Sequence, residues 1–219
     1  MGGTRRSAGA GARGGASARG GTGARGSSPR PPQDGGPAVR DSVEADLPAI
    51  QAIYAHHVRH GFASFEETTP DLDEMARRRA ALLAGGYPYV VAEIDGAVVG
   101  YAYVGPYRPR SAYSYTVENT VYVAPDATGL GVGRALLDAL IVRCTALGYR
   151  QMVAVVGDSA NAPSIRLHEA LGFRRAATLH SVGYKLGRWV DSVILQRPLG
   201  EGGSAPPRGR TKPETGDSL

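Results

Sequence analysis

Several features that would assign this 219-residue chain to a class of protein are missing. Cys144 is the only cysteine, so a disulfide within the chain is excluded, and a reducing compartment is expected. No run of about 18 apolar residues is present, which argues against a membrane-spanning helix. The first residues contain neither an apolar secretory segment nor an amphipathic transit sequence. These absences together favour a cytoplasmic protein.

Both ends of the chain lack the residues that build a hydrophobic core. Residues 1–38 contain no Val, Ile, Leu, Phe, Tyr or Trp, and residues 200–219 are mainly Gly, Pro and charged residues. Such segments cannot bury enough apolar surface to fold, so we predict two disordered tails around one domain at residues 39–199. That domain has equal numbers of basic and acidic side chains, and the net charge of +5 comes from the first tail. Nucleic-acid binding is therefore not expected of the domain.

The most informative stretch present is a strand, a glycine-rich turn and a helix within residues 115–147. Residues 116–123 are mostly β-branched or aromatic, and apolar residues recur at helical spacing over residues 135–147. Three glycines lie between them: Gly129, Gly131 and Gly133. Such a turn leaves backbone N–H groups uncovered at the positive end of a helix, which suits a phosphate. The alternative is a surface turn without a ligand.

The turn differs from the two commonest phosphate-binding sequences. Arg134 stands where a dinucleotide-binding turn has its third glycine, and the Gly-Lys-Ser/Thr of a P-loop is absent. The segment resembles instead the acetyl-CoA motif of the GNAT superfamily of N-acetyltransferases, whose turn reads Gln/Arg-x-x-Gly-x-Gly/Ala. Here the turn is Thr128-Gly129-Leu130-Gly131-Val132-Gly133, and Thr128 lacks the long polar side chain of the family.

The order of elements extends this resemblance over the whole domain. Periodicity and turn residues predict the order β-α-α-β-β-β-α-β-α-β-β, with a tight hairpin at Asp95-Gly96. This is the GNAT arrangement, and it implies an α/β fold of the α+β type. In that fold a mixed, mostly antiparallel central sheet is flanked by about four helices.

The resemblance also implies a set of catalytic and cofactor-binding residues. Glu118 is a carboxylate in an otherwise apolar strand, where burial would raise its pKa and make it a better general base. The alternative is a Glu on a solvated strand face. His168 stands where the family has a Tyr near the sulfur, as proton donor or as a residue packed against the cofactor. The backbone N–H of Val123, or of Tyr122, would stabilise the oxyanion. The residues implied for acetyl-CoA are Val121, Tyr122, Val123, Gly129, Leu130, Gly131, Val132, Gly133, Arg134, Asn161 and Ser164.

A narrower resemblance is to the phosphinothricin and methionine sulfoximine acetyltransferases. It rests on Ala63 to Glu67, Tyr107 to Tyr113, Tyr115 to Val123, Ser164 to Glu169 and Gly183 to Trp189. It implies a small-molecule amine acceptor, the α-amine of a small amino acid analogue, and a homodimer. A substrate with a carboxylate needs cationic donors. The residues expected at the acceptor are Phe65, Arg108, Arg110, Tyr113, Lys185 and Trp189, with a solvated loop as the alternative for the two arginines.

We therefore expect an acetyl-CoA-dependent N-acetyltransferase without a metal. His56, His57 and His60 lie on the first helix, but no Glu or Cys completes a metal site, and we expect these side chains to face solvent. Two other functions stay open: acetylation of protein amino termini or polyamines, and non-catalytic binding of acyl-CoA or RNA. The second would use the Arg-Gly steps at Arg13 and Arg19, for which a solvated extension or an early translation start is the simpler explanation.

Overall fold

The computed structural model describes residues 36–207, so most of both predicted tails lies outside the described residues. Seven strands and four helices follow one another in the predicted order. They are β1 (Ala38–Asp41), α1 (Leu47–His60), α2 (Leu72–Ala84), β2 (Tyr89–Ile94), β3 (Ala97–Pro106), β4 (Thr116–Val123), α3 (Val132–Ala146), β5 (Gln151–Gly157), α4 (Ala162–Ala170), β6 (Arg174–Lys185) and β7 (Arg188–Pro198). This confirms the predicted α/β fold with a mixed, mostly antiparallel sheet.

The strands form one sheet in the order β1-β2-β3-β4-β5-β7-β6. Every neighbouring pair is antiparallel except β4 and β5, which are parallel. A parallel pair needs a crossover connection, and the glycine turn and α3 provide it. The turn therefore lies beside the carboxyl end of β4.

Helices cover both faces of the sheet, and successive residues of a strand point to opposite faces. Val90 packs in a core cluster with Leu136, Leu137 and Leu140 of α3. Val91, the next residue, packs in a second cluster with Ile50 of α1. That second cluster also holds four buried tyrosines, Tyr54, Tyr89, Tyr101 and Tyr122.

Local sequence signals account for most element boundaries. The Asp71 carboxylate accepts a hydrogen bond from the Glu74 N–H at 2.8 Å and caps α2. Asp95 and Gly96 have φ angles of 53° and 76°, as the two-residue hairpin turn requires. Helix α3 differs from prediction, since it begins at Val132 rather than at residue 135. The left-handed Gly131 starts the helix directly after the turn, so the last glycine lies inside the first helical turn.

Part of the predicted second tail makes contacts with the domain. The Arg150 guanidinium donates from Nε to the Gly202 carbonyl at 2.8 Å and from Nη2 to the Ala205 carbonyl at 2.9 Å. Residues 200–207 therefore follow the surface beside β5. Within residues 36–207, no helix has both the length and the apolar character needed to cross a bilayer.

Candidate active site

The central feature of the site is an opening between β4 and β5. The two strands pair only from Thr116–Gln151 to Asn119–Ala154. Beyond that point β4 continues along β3 to Val123, and β5 continues along β7 to Gly157. The parallel strands therefore separate in the middle of the sheet, and we call this region the sheet opening.

Residue alternation decides which backbone groups of β4 face the sheet opening. The Ala124 N–H donates to the Val99 carbonyl at 2.8 Å, on the β3 side. Successive N–H groups of a strand point to opposite edges, so the N–H of Val123 points away from β3. The Tyr122 N–H then points toward β3, where Tyr122 is opposite Tyr101. Of the two oxyanion donors considered from the sequence, this geometry favours Val123.

The glycine turn lines one side of a cavity of about 340 Å³, which we call the glycine-turn cavity. Gly129 and Gly131 have φ angles of 79° and 82°, and a Cβ on either would meet no atom within 4 Å. Gly131 precedes the first residue of α3, a 15-residue helix whose first N–H groups have no partner within the helix and carry the positive end of its dipole. These properties fit a diphosphate. Thr128 contributes no side-chain donor, because its hydroxyl donates to the Pro125 carbonyl at 3.0 Å.

Ten of the eleven residues expected at acetyl-CoA line this cavity. The exception is Leu130, whose side chain is 57% exposed on the outside of the turn. The Asn161 carboxamide accepts from the Ser164 N–H at 3.3 Å and so caps α4. Residues that sequence reasoning did not identify here are His57, Ala63, Ala127, Thr128, Pro163 and Leu167.

A second cavity of about 450 Å³ lies at the sheet opening and is lined by residues 118–122 of β4 and 154–157 of β5. We call it the Glu118 cavity. The two cavities adjoin along β4, because five residues line both: Ala63, Val121, Tyr122, Asn161 and Ser164. Its charged lining residues are Glu66 and Glu118, and no Arg or Lys of the described chain lines it. A ligand that spans both cavities would present its reacting end at residues 121 and 122.

Glu118 is half-buried in the wall of this cavity. Its carboxylate accepts no hydrogen bond from any residue in the described range. Burial raises the pKa of the Glu118 carboxyl above its ordinary value, and the positive charge of Arg108 partly offsets that rise. A carboxylate without a fixed partner and with a raised pKa is suited to accept a proton.

His168 is also in the lining, but both of its ring nitrogens are already in contact with protein oxygens. Nδ1 lies 2.8 Å from the Ser164 carbonyl and Nε2 lies 3.0 Å from the Asn119 side-chain oxygen. The Asn119 amide donates in turn to the Val153 carbonyl at 3.0 Å. Burial lowers the pKa of His168. This side chain links α4, β4 and β5 at the last residue pair before the sheet opening.

His57 corrects one expectation from the sequence. Its Nε2 lies 2.9 Å from the Val123 carbonyl, and its ring packs 5.1 Å from the ring of Tyr122. The prediction that it faces solvent is wrong, although His56 and His60 are exposed. Burial lowers the pKa of His57, so the neutral imidazole donates from Nε2. It satisfies a carbonyl that has no β5 partner at the sheet opening.

The six residues expected around the acceptor are not all brought together. Phe65 lines the Glu118 cavity, whereas the other five do not. The Arg108 guanidinium packs over the Tyr107 ring at 5.2 Å, and the Tyr113 ring meets the same Tyr107 edge-on. Arg110 is exposed in the same loop, and Trp189 is 61% exposed on β7.

Lys185 lies behind the cavity wall rather than in it. Its side chain is almost fully buried, and Nζ donates to the Gly61 carbonyl at 2.8 Å and to the Ser64 carbonyl at 2.6 Å. Burial lowers the pKa of this ammonium group. Among residues 36–207, no group of three or more His, Cys, Asp or Glu is placed to hold a metal ion.

Comparison with known proteins gives consistent matches. The chain matches the Acetyltransferase (GNAT) family over residues 50–173. It is 58% identical over 169 residues to a phosphinothricin N-acetyltransferase of Alcaligenes faecalis, covering 77% of this chain and 84% of that protein. It is 42% identical over 163 residues to an L-methionine sulfoximine/L-methionine sulfone acetyltransferase of Salmonella typhimurium, covering 74% and 95%.

A solved structure is similar over the same part of the chain. The crystal structure of a GNAT superfamily phosphinothricin acetyltransferase from Sinorhizobium meliloti, in complex with acetyl-CoA, superposes with a TM-score of 0.78. The sequences are 48% identical, and the match covers 82% of this chain and 97% of that one.

Proposed function

The chain belongs to the acetyltransferase (GNAT) family, and from this premise we propose that it acetylates the α-amine of a small amino acid analogue, with acetyl-CoA as donor. Acceptors of the phosphinothricin and methionine sulfoximine or sulfone type fit best. The observation that carries this proposal is the 58% identity to a phosphinothricin N-acetyltransferase. Acetylation of protein amino termini or polyamines, and a non-catalytic role, are not favoured.

In this proposal Glu118 is the general base. An amine attacks only when it has lost a proton, and the raised pKa of a half-buried carboxylate brings it closer to the operating pH. Glu118 would take the proton by way of a water molecule and pass it to solvent through the open side of the cavity.

The backbone at the end of β4 is the proposed oxyanion donor. The N–H of Val123 faces the sheet opening, and His57 fixes the carbonyl of the same residue. A donor held in place before the reaction needs no reorganisation when negative charge develops on the acetyl oxygen. The glycine turn and the first N–H groups of α3 would hold the diphosphate of acetyl-CoA, which supplies the acetyl group.

His168 is proposed to act mainly by position. The sequence left two roles open, proton donor to the departing thiolate or a residue packed against the cofactor. A ring nitrogen could donate only by breaking a contact with Ser164 or Asn119. Because both ring nitrogens are held by these contacts, we assign His168 the role of holding the sheet opening. The departing thiolate would then take its proton from water.

Recognition of the acceptor carboxylate is assigned to Arg108. The Glu118 cavity contains two carboxylates, which suit an ammonium group, and a cation has to come from its rim. Arg108 is the arginine whose charge acts on Glu118. The charge of Arg110, in the same loop, does not act on the pKa of Glu118.

A homodimer in the cytoplasm completes the proposal. Large apolar side chains are exposed together on the hairpin of β6 and β7: Leu179, Val182, Tyr184, Leu186 and Trp189. A contiguous exposed apolar surface of this kind is typical of a protein–protein contact. A second copy on this hairpin would account for the exposure of Trp189, which was expected near the acceptor.

A panel of amines with acetyl-CoA tests the proposal by following thiol release. Phosphinothricin, methionine sulfoximine and methionine sulfone should be acetylated, while spermidine and an alanine-terminated peptide should give rates near background. Preferential turnover of the peptide or of spermidine would overturn the assigned acceptor class. Removal of residues 1–35 should leave the rates unchanged.

A further inference from the structure

Lys185 is a buried cation whose role the proposed chemistry leaves unexplained. It ends β6, its side chain is 2% exposed, and it forms no ion pair with a carboxylate of residues 36–207. Burying an ammonium group without a paired anion is unfavourable. Its two short hydrogen bonds to main-chain carbonyls offset that cost, together with the negative charges of Glu67 and Glu66.

Those carbonyls belong to one segment, residues 61–67, which we call the 61–67 loop. The loop joins α1 to α2 and supplies four lining residues of the Glu118 cavity: Ala63, Ser64, Phe65 and Glu66. It has no strand partner, so its polar groups must be satisfied individually. The Tyr122 hydroxyl donates to the Ala63 carbonyl at 3.2 Å, and the Tyr54 hydroxyl lies 2.9 Å from the Ser64 hydroxyl oxygen.

Two glycines show how closely the loop is seated on the sheet. A Cβ at Gly157, the last residue of β5, would lie 2.0 Å from the Phe62 carbonyl oxygen. A Cβ at Gly183, two residues before Lys185, would lie 2.6 Å from the Phe65 ring. The loop therefore fits directly against two strands, and Lys185 ties it to one of them.

We propose that Lys185 is a positioning residue for acetyl transfer: its hydrogen bonds to the Gly61 and Ser64 carbonyls hold the 61–67 loop at the distance from β4 that the acceptor requires. This inference rests on the proposed function, since it assigns the Glu118 cavity to the acceptor. Lys185 lines neither cavity, so its effect must pass through Phe65 and Glu66 on the loop.

The test is a kinetic comparison of Lys185→Met with Lys185→Arg. Methionine has a similar length and no donor, whereas arginine keeps donors for both carbonyls. For Lys185→Met we expect the KM for methionine sulfone or phosphinothricin to rise about tenfold or more, because the loop that lines the acceptor cavity loses two hydrogen bonds to a charged group. The KM for acetyl-CoA should stay within about twofold, because the cofactor side is untouched. In Lys185→Arg the KM for the acceptor should be closer to the wild-type value than in Lys185→Met.

Arg175→Met is the matched control, because it removes an exposed positive charge from the same strand far from the loop. Hydrogen exchange of the amides at residues 61–67 is measured in parallel and needs no activity. Faster exchange there in Lys185→Met, with exchange close to wild type in Lys185→Arg, supports the proposal.

Unchanged exchange together with an unchanged acceptor KM would overturn the role of Lys185. An equal rise of the KM for the acceptor and the KM for acetyl-CoA would mean that Lys185 contributes to general stability instead. A wild-type protein inactive on every amine would overturn the proposed function, while the exchange measurement still decides whether Lys185 holds the loop.

Discussion

At the scale of single residues, Glu118 combines a catalytic advantage with a cost to stability. A carboxylate whose pKa is raised by burial is easier to protonate in the folded protein than in the unfolded chain. The folded state therefore binds more protons than the unfolded state between the ordinary Glu pKa and the raised one. Stability then falls as the pH rises through that window, and the cost is fully present above it.

Glu118→Gln should separate the catalytic role of the carboxylate from its cost to stability. We expect turnover to fall about 100-fold or more, with binding of acetyl-CoA retained, because the base is lost and the shape is kept. The variant should also melt at a higher temperature than wild type at pH 8, and the difference should vanish below the ordinary Glu pKa. Calorimetry across pH and steady-state kinetics measure both effects.

Glu169→Gln is the control, since it removes a negative charge from an exposed side chain that lines neither cavity. Its kcat should stay within a few-fold of wild type. A Glu118→Gln protein whose kcat is unchanged from pH 6 to 9 would remove Glu118 from the mechanism.

Arg108 gives a second prediction at this scale. Arg108→Met should raise the KM for phosphinothricin about tenfold or more, because a hydrogen bond to a charged group is lost. It should also move the acidic limb of the kcat/KM profile to higher pH, since the charge that lowers the pKa of Glu118 is removed. Arg110→Met, in the same loop, should change neither quantity; equal effects of the two variants would contradict the assignment.

At the scale of elements, the glycine turn can be tested against a matched glycine elsewhere in the same chain. Gly131 and Gly96 both have a left-handed φ, of 82° and 76°, and open space where a Cβ would be. Alanine at either position should therefore cost about 1–2 kcal/mol of backbone strain. Only Gly131 lies at the start of α3 and lines a cavity.

Gly131→Ala should raise the KM for acetyl-CoA several-fold, whereas Gly96→Ala should lose similar stability with both KM values unchanged. Equilibrium unfolding and titration of acetyl-CoA are the two measurements. A cofactor effect of equal size in both variants would mean that strain, rather than the geometry of the turn, is responsible.

The elements themselves follow from the sequence because their signals are local. Hydrophobic period and turn residues are readable within about ten positions, and the bounds of β4 agree with the predicted residues 116–123. The family resemblance likewise named ten of the residues that line the glycine-turn cavity, and eight of these lie in the motif at residues 121–134. That motif is a single continuous stretch, so its neighbours in sequence are also its neighbours in space.

The acceptor side could not be predicted as well, because it is assembled from distant segments. A lysine near the end of a strand is ordinarily exposed, and nothing local indicates that Lys185 reaches carbonyls more than 120 positions earlier. His57 did carry a signal: it lies three residues after Tyr54 and seven after Ile50, on the buried stripe of α1. The loop that carries Arg108 and Arg110 has no periodicity from which its direction could be inferred.

At the scale of the whole molecule, the exposed apolar hairpin predicts a dimer. Wild-type protein should sediment as a dimer at micromolar concentration, and Trp189→Asp should sediment as a monomer, because a charge would be buried at the contact. Val142→Asp is the control: Val142 is 63% exposed on α3, away from the hairpin. If the wild-type protein is monomeric, the hairpin has another partner and the dimer assignment fails.

The sheet opening has a mechanical consequence for the molecule. Within residues 36–207, four residue pairs of the β4–β5 ladder connect the half of the sheet made of β1 to β4 to the half made of β5, β7 and β6. The link from His168 through Asn119 to Val153 lies at the end of this ladder, next to the sheet opening. A donor molecule bound in the sheet opening would contact both halves of the sheet. Its binding and release in each catalytic cycle would therefore first restrict and then restore the motion of one half relative to the other.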